Sequence, residues 1–497
     1  MSNSNFQQGE LVVDSISIVN PEKESIDILT LTSNITIFEA IDKPFLSGRL
    51  TVFDGIDLIK NFKLVGQESV TIKIRQRENS GAEFSTDKFS IDKVFRIYSV
   101  TDVINVNQNT RGYAIHFVDP KFFTCQKTKI NQTLRGSYSD MLLTVLSENA
   151  GFKTLPKTAF DKWDKTEPGN NQVVVPNWNV NKFIRFVVAN ADLAGNKTWK
   201  NSMFFYQTLN GEFRFDSFQS MCSRVFPLAF DTLPRNNKPT EDTNINAEQI
   251  GLNTQIIEYT MPQRFNTMKG LTQGAYASIL KTYDPIRKLE EENIYSITKV
   301  FERGNDATPG HVSKFPIIRT SEPEVIHKAD DMISGTESPN FSEEVVDLAP
   351  DISYNSFVLN KVNMTNAFSD EAKLIDSTST TKITQQLGQE YRDTGHLERR
   401  ALMSLLEQNV VKVQIPFRSD MSVGTCVKLS LPTPELKGDN STGDEMQDSN
   451  YLIGKMTMSI EPLKNKGTLT LQCIKESYGV DIKSYKPMKD YKGPENT

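Results

Sequence analysis

The sequence has no stretch that could cross a membrane, and it carries few of the residues that build reactive sites. No run of about 18 apolar residues occurs, which predicts that no helix inserts into a membrane. The first fifteen residues contain neither a basic nor an apolar segment, so we expect no secretory signal. Histidine and cysteine occur only four times each in 497 residues.

The cysteines give no sign of a disulfide framework or a metal site. None belongs to a C-x-x-C pair, and each lies in or beside an apolar run. We therefore predict four reduced, mostly buried thiols in a protein made in the cytoplasm. They are Cys125, Cys222, Cys426 and Cys473.

Catalytic and cofactor-binding motifs are also missing. The histidines form no H-E-x-x-H or i, i+4 pair, and His116 alternates within an apparent strand. No G-x-S-x-G, Walker loop or G-x-G-x-x-G occurs. Acidic residues are abundant, but no pair stands out as a glycosidase pair. The sequence predicts no enzyme, no cofactor and no metal site.

The charge balance is mildly acidic. The chain has 56 basic and 62 acidic residues, a formal net charge of −6. Nucleic-acid binding needs clustered Lys and Arg, so we expect no sequence-specific binding of that kind. A chain of this length can hold several domains, each with its own core.

Two distant stretches of the chain read alike. "FSIDKVFRIY" (89–98) and "YLIGKMTMSI" (451–460) both follow the pattern aromatic-x-Ile-x-Lys-apolar. Alternation of apolar and polar residues is typical of a strand with one buried face. The pattern therefore predicts the same strand twice.

The similarity extends to the flanking segments. Before each copy, "LVGQESVTIKIR" (64–75) and "SVGTCVKLSLP" (422–432) place Val-Gly ahead of an alternating run. After each copy, "GYAIHFVDP" (112–120) and "GTLTLQCIKES" (467–477) again begin with Gly. Both flanks predict strands in the same order.

A fourth match pairs "FLSGRLTVFDGIDLI" (45–59) with "LTQGAYASILKTYDPI" (271–286). Amphipathic strands resemble one another, so each match alone could be a coincidence. Four matches in one order predict a duplicated β domain. The first copy is assigned to 1–119, and the second is split between 223–298 and 400–476.

The segment after the first copy reads as helix and hairpin. "SYSDMLLTVLSENAG" (137–151) has a capping box at Ser137 and Asp140 and ends on Gly151. A second amphipathic helix is predicted within 180–195. Asn-Gly between two alternating runs in 203–218 predicts a hairpin. Residues 120–222 are therefore assigned to a small α+β module.

The remaining segments are polar. Residues 299–399 are assigned to an acidic mixed insertion, with helices predicted at 380–392 and 398–408. The acidic stretch 432–450 is a hairpin tip between two strands or a partner contact. The tail, 477–497, is extended, and is either a solvated end or a segment that docks on a partner. Its candidate partner-binding residues are Lys483, Tyr485, Lys486, Lys489 and Tyr491.

These segments carry a resemblance to a known family. "SGRLTVFDG" (47–55), "GAYASILKTYDPIRK" (274–288) and "VKVQIPFRSDMSVGTCVKLSLP" (411–432) followed by "YLIGKMTMSI" resemble the baseplate hub protein of contractile-tailed bacteriophages. That fold is shared by the N-terminal part of type VI secretion spike proteins. The resemblance implies a β-rich α+β fold, with two similar antiparallel β-barrel (tube) domains and smaller α+β modules.

The resemblance also implies a role. A hub of this family is a homotrimer, whose six tube domains join a three-fold central spike to a six-fold tail tube. The implied partners are the central spike protein, tail tube or tube-initiator proteins and the tape measure protein, with a channel for the tape measure and DNA. The implied location is the virion baseplate, after assembly in the host cytoplasm.

Two alternatives remain open. The chain could be a hub component of a phage-like injection or secretion device, which genome neighbourhood would distinguish. It could also be a β-rich cell-wall binding module or hydrolase, which an exposed carboxylate pair in a cleft would indicate.

Overall fold

A computed structural model describes most of the chain outside the acidic insertion and the tail. The described residues are 11–76, 90–152, 162–167, 171–195, 199, 201–231, 255–263, 266–275, 277–284, 289–296, 356–360, 389–431 and 449–476. Predictions that fall on other residues lie outside this description, among them those for residues 299–355 of the acidic insertion.

The described residues form twenty strands and seven α-helices. The strands are β1 (Leu11–Val19), β2 (Ser25–Asp27), β3 (Thr32–Ala40), β4 (Ser47–Asp54), β5 (Ser69–Gln76), β6 (Ser90–Asn107), β7 (Thr110–Val118), β8 (Lys129–Gly136), β9 (Asn171–Asn179), β10 (Met203–Gln207), β11 (Phe213–Ser217), β12 (Val225–Asp231), β13 (Glu258–Gln263), β14 (Ala277–Asp284), β15 (Leu289–Ser296), β16 (Ser356–Asn360), β17 (Val410–Pro416), β18 (Cys426–Ser430), β19 (Ser449–Glu461) and β20 (Lys466–Ile474). The helices are α1 (Leu58–Asn61), α2 (Pro120–Lys127), α3 (Tyr138–Glu148), α4 (Val180–Asn190), α5 (Phe218–Ser223), α6 (Thr267–Gln273) and α7 (Gln389–Gln408).

Thirteen of these strands belong to one sheet, which makes the fold β-rich as the sequence predicts. Its main order is β13-β17-β20-β19-β3-β4-β7-β6-β5-β1-β2, and β12 joins through β18, which pairs with β19. Neighbours are antiparallel except β12 and β18, which are parallel. The strand order of the described residues does not close into a barrel, so the two barrels stay a prediction.

The sheet contains the same strand order twice. One part runs β1-β5-β6-β7-β4-β3, and the other runs β12-β18-β19-β20-β17-β13. We call them the first copy and the second copy. The flanking matches are confirmed, because β5 and β18, and likewise β7 and β20, hold equivalent positions. The match between 89–98 and 451–460 is also confirmed at the level of strand position, since β6 and β19 lie between those neighbours.

The fourth match is wrong. Strand β14, which carries the stretch compared with β4, lies in a separate three-stranded sheet of order β15-β14-β16. The position equivalent to β4 belongs to β17, which pairs with β20 as β4 pairs with β7. Alternation alone could not separate these two strands, because both sequences were read as alternating apolar and polar residues. The assigned domain boundaries stay a prediction.

Two backbone hydrogen bonds, one in each copy, show which residues of the copies are equivalent. Ile97 N donates to Glu68 O at 3.0 Å, and Ile453 N donates to Thr425 O at 3.0 Å. Directly after each isoleucine the strand has a bulge against its β7 or β20 neighbour. A shared bond followed by a shared bulge identifies Ile97 with Ile453.

The residue-by-residue match of the opening pair is therefore shifted. Tyr451 corresponds to Phe95 rather than to Phe89, which lies outside the described residues. Lys455 corresponds to Ser99. The pattern aromatic-x-Ile occurs again six residues further along β6, at 95–97, and an even shift keeps the same face inward.

Two apolar cores hold the described residues together. The larger is continuous through both copies and also takes side chains from α5 and α7. The smaller lies in the α+β module, between α2, α3, α4 and the strands β8–β11. Because one core serves both copies, burial of apolar surface stabilises them as a unit.

The α+β module contains the predicted elements. Ser137 caps α3 by accepting a hydrogen bond from Asp140 N, and Gly151 follows with φ +69°. Helix α4 is present but ends at Asn190. The hairpin β10–β11 turns at Gly211, with φ +83°. These predictions are confirmed.

The two helices predicted before β17 are described in part. Residues 389–408 form the single helix α7, which joins the end of the first prediction to the second. Residues 380–388 lie outside the described part. The four cysteines are buried free thiols, as predicted. His116 lies within β7, where its Nε2 is 2.9 Å from Thr101 Oγ1.

Among the described helices, none is both long and apolar enough to cross a membrane.

Candidate assembly interface

The two copies are joined by direct strand pairing. Strand β3 pairs antiparallel with β19, in a register that runs from Ala40 opposite Lys455 to Ile35 opposite Ile460. On the same edge of β19, the preceding residues pair with β18. The long strand β19 therefore pairs with β18 through its first residues and with β3 through its later ones.

A glycine turn before β18 leaves room for β3. Gly424 has φ +72°, a left-handed conformation that favours glycine, and its N–H donates to Ile453 O at 3.0 Å. The first copy has the same device, because Gly66 before β5 has φ +89°. The Glu68 carboxylate accepts from Gly66 N at 2.8 Å. Because each turn precedes its strand, β5 and β18 pair only with the first part of the facing edges of β6 and β19, and the rest of each edge is left for another strand.

Polar contacts continue the junction beyond the ladder. Ile41 N donates to Gly454 O at 3.0 Å. Lys455 Nζ lies 3.3 Å from the Asp42 carboxylate, and both side chains are about half exposed. An exposed pair of this kind contributes little, so the buried strand pairing provides most of the stability of the junction.

Glu39 is a buried carboxyl at the point where three parts of the molecule meet. It lies on β3, and its two oxygens accept from Val423 N at 3.0 Å and from Leu209 N at 3.2 Å. Val423 precedes β18, and Leu209 belongs to the β10–β11 hairpin. The side chain therefore connects both copies to the α+β module.

Burial raises the pKa of Glu39 to about 8, although the two backbone N–H donors oppose that shift. A neutral carboxyl is consequently favoured at neutral pH. The sequence prediction missed this residue. The available signal was an acid within the otherwise apolar run "ITIFEAI" (35–41).

The β10–β11 hairpin is also held against the first copy. Gln207 Oε1 accepts from Leu46 N at 3.1 Å, and its Nε2 donates to Asp119 Oδ2 at 2.7 Å. The ammonium group of Lys93, on β6, lies against Gly211 at the turn. Burial lowers the pKa of Lys93, while nearby acids, including Asp119, oppose the shift. These contacts fix the module beside the junction.

The edge of the first copy that corresponds to this junction is open. Strand β6 pairs with β5 only through Ser90–Arg96, and Ile97 adds the bond to Glu68. Beyond that point, within the described residues, only β7 pairs with β6. This part of β6 exposes the apolar side chains of Tyr98, Val103, Ile104 and Val106.

The outer strand of the second copy also has an edge that no described strand covers, although the chain just before it is bonded to the end of β12, where Ile256 N donates to Asp231 O at 2.9 Å. Strand β13 is equivalent to β3, and among the described strands it pairs only with β17. Its apolar residues Tyr259 and Met261 are partly buried, whereas Ile35 and Ile37 at the equivalent places on β3 are fully buried. An unpaired edge of this kind can accept another strand.

The partner-binding residues predicted in the tail lie outside the described part of the chain, so their role stays a prediction. The tip of the acidic stretch lies outside it too. Its flanking strands β18 and β19 are antiparallel neighbours, which confirms that the stretch connects two paired strands.

Several solved structures are similar to this one. The tail protein from Neisseria meningitidis MC58 has a TM-score of 0.44 at 7% identity, with 93% of this chain and 96% of that chain covered. The 43 kDa tail protein of prophage MuSo2 from Shewanella oneidensis has a TM-score of 0.45 at 9% identity, covering 93% and 98%. The Francisella PdpA–VgrG complex has 0.40 at 11% identity, covering 95% and 59%.

Two of these three structures are tail proteins, and the third contains VgrG. No protein-family model matches the chain, and no curated protein matches it. At identities of 7–11% and TM-scores of 0.40–0.45, the similarities carry no function over to this chain. A functional proposal has to rest on the chain itself.

Proposed function

We propose that the chain is a structural component of a contractile phage tail, specifically the baseplate hub. In this proposal three copies surround a channel for the tape measure protein and DNA. One face of the ring binds the three-fold central spike, and the other binds the six-fold tail tube or its initiator. The protein belongs to the virion and has no catalytic role.

The observation that carries the proposal is the strand order that occurs twice in one chain. Two similar units are joined edge to edge by β3 and β19, and such a pair would make up a third of the proposed six-unit ring. Closed cyclic symmetry then lets a three-fold assembly present six similar surfaces. Continued edge pairing would also curl the sheet, which favours the predicted pair of tube barrels.

The symmetry of the assembly tests the proposal. Light scattering of the purified full chain should give the mass of a trimer, and cryo-EM should resolve six similar units around one axis. If the trimer forms only with its spike partner, cryo-EM of assembled particles is decisive. A dimer or a ring of another order in those particles would refute it.

A hub of a related injection or secretion device has the same symmetry, so the ring does not separate it from a phage hub. The genes next to this one distinguish them: capsid and DNA-packaging genes support a phage, and effector genes support a secretion device.

The hydrolase alternative has its own assay. We expect the isolated chain to release no soluble fragments from peptidoglycan. Hydrolysis that one Asp or Glu substitution abolishes would replace the structural role with an enzymatic one.

The tail is proposed to dock on the spike protein. Spaced lysines and tyrosines suit an acidic, partly apolar surface, and tyrosine is a common interface anchor. Deleting 480–497 should weaken pull-down of the spike, and high salt should weaken it for the full chain. Equal capture by both forms would leave the tail as a solvated end.

A further inference from the structure

We propose that the open edge of β6, residues 99–106, binds strand β13 of a second copy of this chain. This inference rests on the proposed trimer and names the surfaces that close it. It follows from the junction inside one chain, where the equivalent edge of β19 binds β3, the strand equivalent to β13.

Exposure differs between the two equivalent edges. Ser459, which holds the place of Ile104 in β19, is only partly exposed in the junction, whereas Ile104 is 61% exposed and its neighbours Val103 and Val106 are 54% and 50% exposed. Apolar side chains beside an unpaired strand edge mark a surface that binds another strand. A copy of β13 would cover them as β3 covers β19.

The junction also supplies the register of the proposed contact. Within one chain, Ser459 lies opposite Thr36. Strand β6 has a further bulge between Thr101 and Ile104 that β19 lacks. Beyond that bulge Ile104 is the equivalent of Ser459, because each pairs with the equivalent residue, Gly112 or Thr468, of the neighbouring strand.

The partner strand is aligned in the same way. Thr36 pairs with Arg49, and Thr260 pairs with Lys412, at equivalent places on β4 and β17. Thr260 is therefore the equivalent of Thr36. We expect Ile104 to lie opposite Thr260 of the neighbouring copy.

The two open edges belong to different copies of the duplicated unit. Each contact is consequently heterologous, with β6 of one chain meeting β13 of the next. Every chain donates one edge and accepts one, so in the proposed trimer three such contacts close the ring of six units. A second copy of this chain is the occupant that satisfies both edges at once.

Disulfide trapping tests the register directly. The double variant Ile104→Cys/Thr260→Cys should form covalent trimers under mild oxidation, because directly opposed residues of an antiparallel pair come within disulfide distance. The native cysteines are buried, which keeps the background low. The control is Val94→Cys/Thr260→Cys, since Val94 is exposed on the part of β6 that β5 already occupies.

A charge at the edge gives an independent readout. Ile104→Glu should raise the trimer dissociation constant by about tenfold or more, because a charged side chain on a strand edge opposes pairing. Val174→Glu is the matched control: Val174 is 65% exposed on β9, which belongs with β8 to a separate sheet. It should leave the dissociation constant unchanged.

The outcomes separate the two proposals. Trimers that neither cross-link at 104–260 nor respond to Ile104→Glu would overturn the proposed contact and leave the trimer intact. Cross-linking of the control pair to the same extent would also overturn it. A chain that neither assembles nor cross-links, even with its spike partner, would overturn both the contact and the trimer.

Discussion

The two copies have the same strand order but differ at their edges. Among the described strands of the first copy, β3 is covered by β19 and the far part of β6 is left unpaired; in the second, β19 is covered and β13 has one unpaired edge. The outer neighbour of β5, strand β1, is antiparallel to it, whereas the outer neighbour of β18, strand β12, is parallel to it. The two copies thus share their middle strands but differ in the strands that border them.

This difference indicates that the middle strands define the unit and the edges define its neighbours. A strand can be added in either direction at the β5 or β18 side, because that side does not form the junction. The β3 and β13 side must keep its orientation, since it has to fit the β6 or β19 edge of the next unit.

The largest expected effect compares equivalent residues on the covered and open strands. Ile37→Ala removes a fully buried side chain of β3 and should destabilise the protein by about 2–5 kcal/mol. Met261→Ala, at the equivalent place on β13, should cost less than about 2 kcal/mol in the monomer, because Met261 is only partly buried.

Urea unfolding at low protein concentration measures both. The difference between the two losses of unfolding free energy should become smaller at protein concentrations where the chain forms its ring. Equal losses in the monomer would remove the distinction between a covered and an open edge.

The next effect concerns pH. The folded pKa of Glu39, about 8, is above its ordinary value of 4.5, so the folded protein retains this proton to higher pH. The stability it contributes is complete below about pH 4.5 and falls as pH rises toward about 8. Across that range we expect a loss of a few kcal/mol.

Glu39→Gln, which resembles the neutral carboxyl, should remove most of that pH dependence. Urea midpoints of both proteins between pH 5 and pH 9 test this, with the exposed Glu22→Gln as control. Parallel curves for the Glu39 variant and the wild type would show that Glu39 titrates normally.

A smaller effect is expected at the bulge of the junction. A Cβ at Gly454 would lie 2.8 Å from Ile474 Cδ1, whereas a Cβ at Gly55 would meet no atom within 4 Å. Gly454→Ala should destabilise by about 1–3 kcal/mol through overpacking. Gly55→Ala should be close to neutral, and a matching loss there would point to a general backbone effect instead.

The smallest effect is expected at the ion pair of the junction. Lys455→Ala removes the half-exposed contact with Asp42, which should change stability by less than about 1 kcal/mol. The change should shrink further in high salt. A larger, salt-insensitive loss would mean that the pair, rather than the ladder, holds the copies together.

Much of the fold could be predicted because alternation and turn residues act locally. The capping serine of α3, the Asn-Gly hairpin and three of the four repeated strands follow from neighbours in sequence. The match of β14 to β4 failed because apolar alternation carries no information about which sheet a strand joins.

The predicted register of β6 was wrong for a related reason. An error of six residues keeps the same side chains on the buried face, so the pattern is satisfied either way. The junction itself could not be predicted, since it depends on which edges remain open after folding. Glu39 was missed because its partners are backbone N–H groups far away in sequence.

The pairing of β3 with β19 has a consequence for synthesis on the ribosome. The strand at 32–40 reaches its partner only after the strand at 455–460 has been translated. At about 5–20 residues per second, the intervening chain takes roughly 20–80 seconds to appear. During that interval the β3 edge of the nascent first copy lacks its partner strand. The order of translation therefore leaves the N-terminal half with an unpaired edge, which can accept another strand, until the last strands arrive.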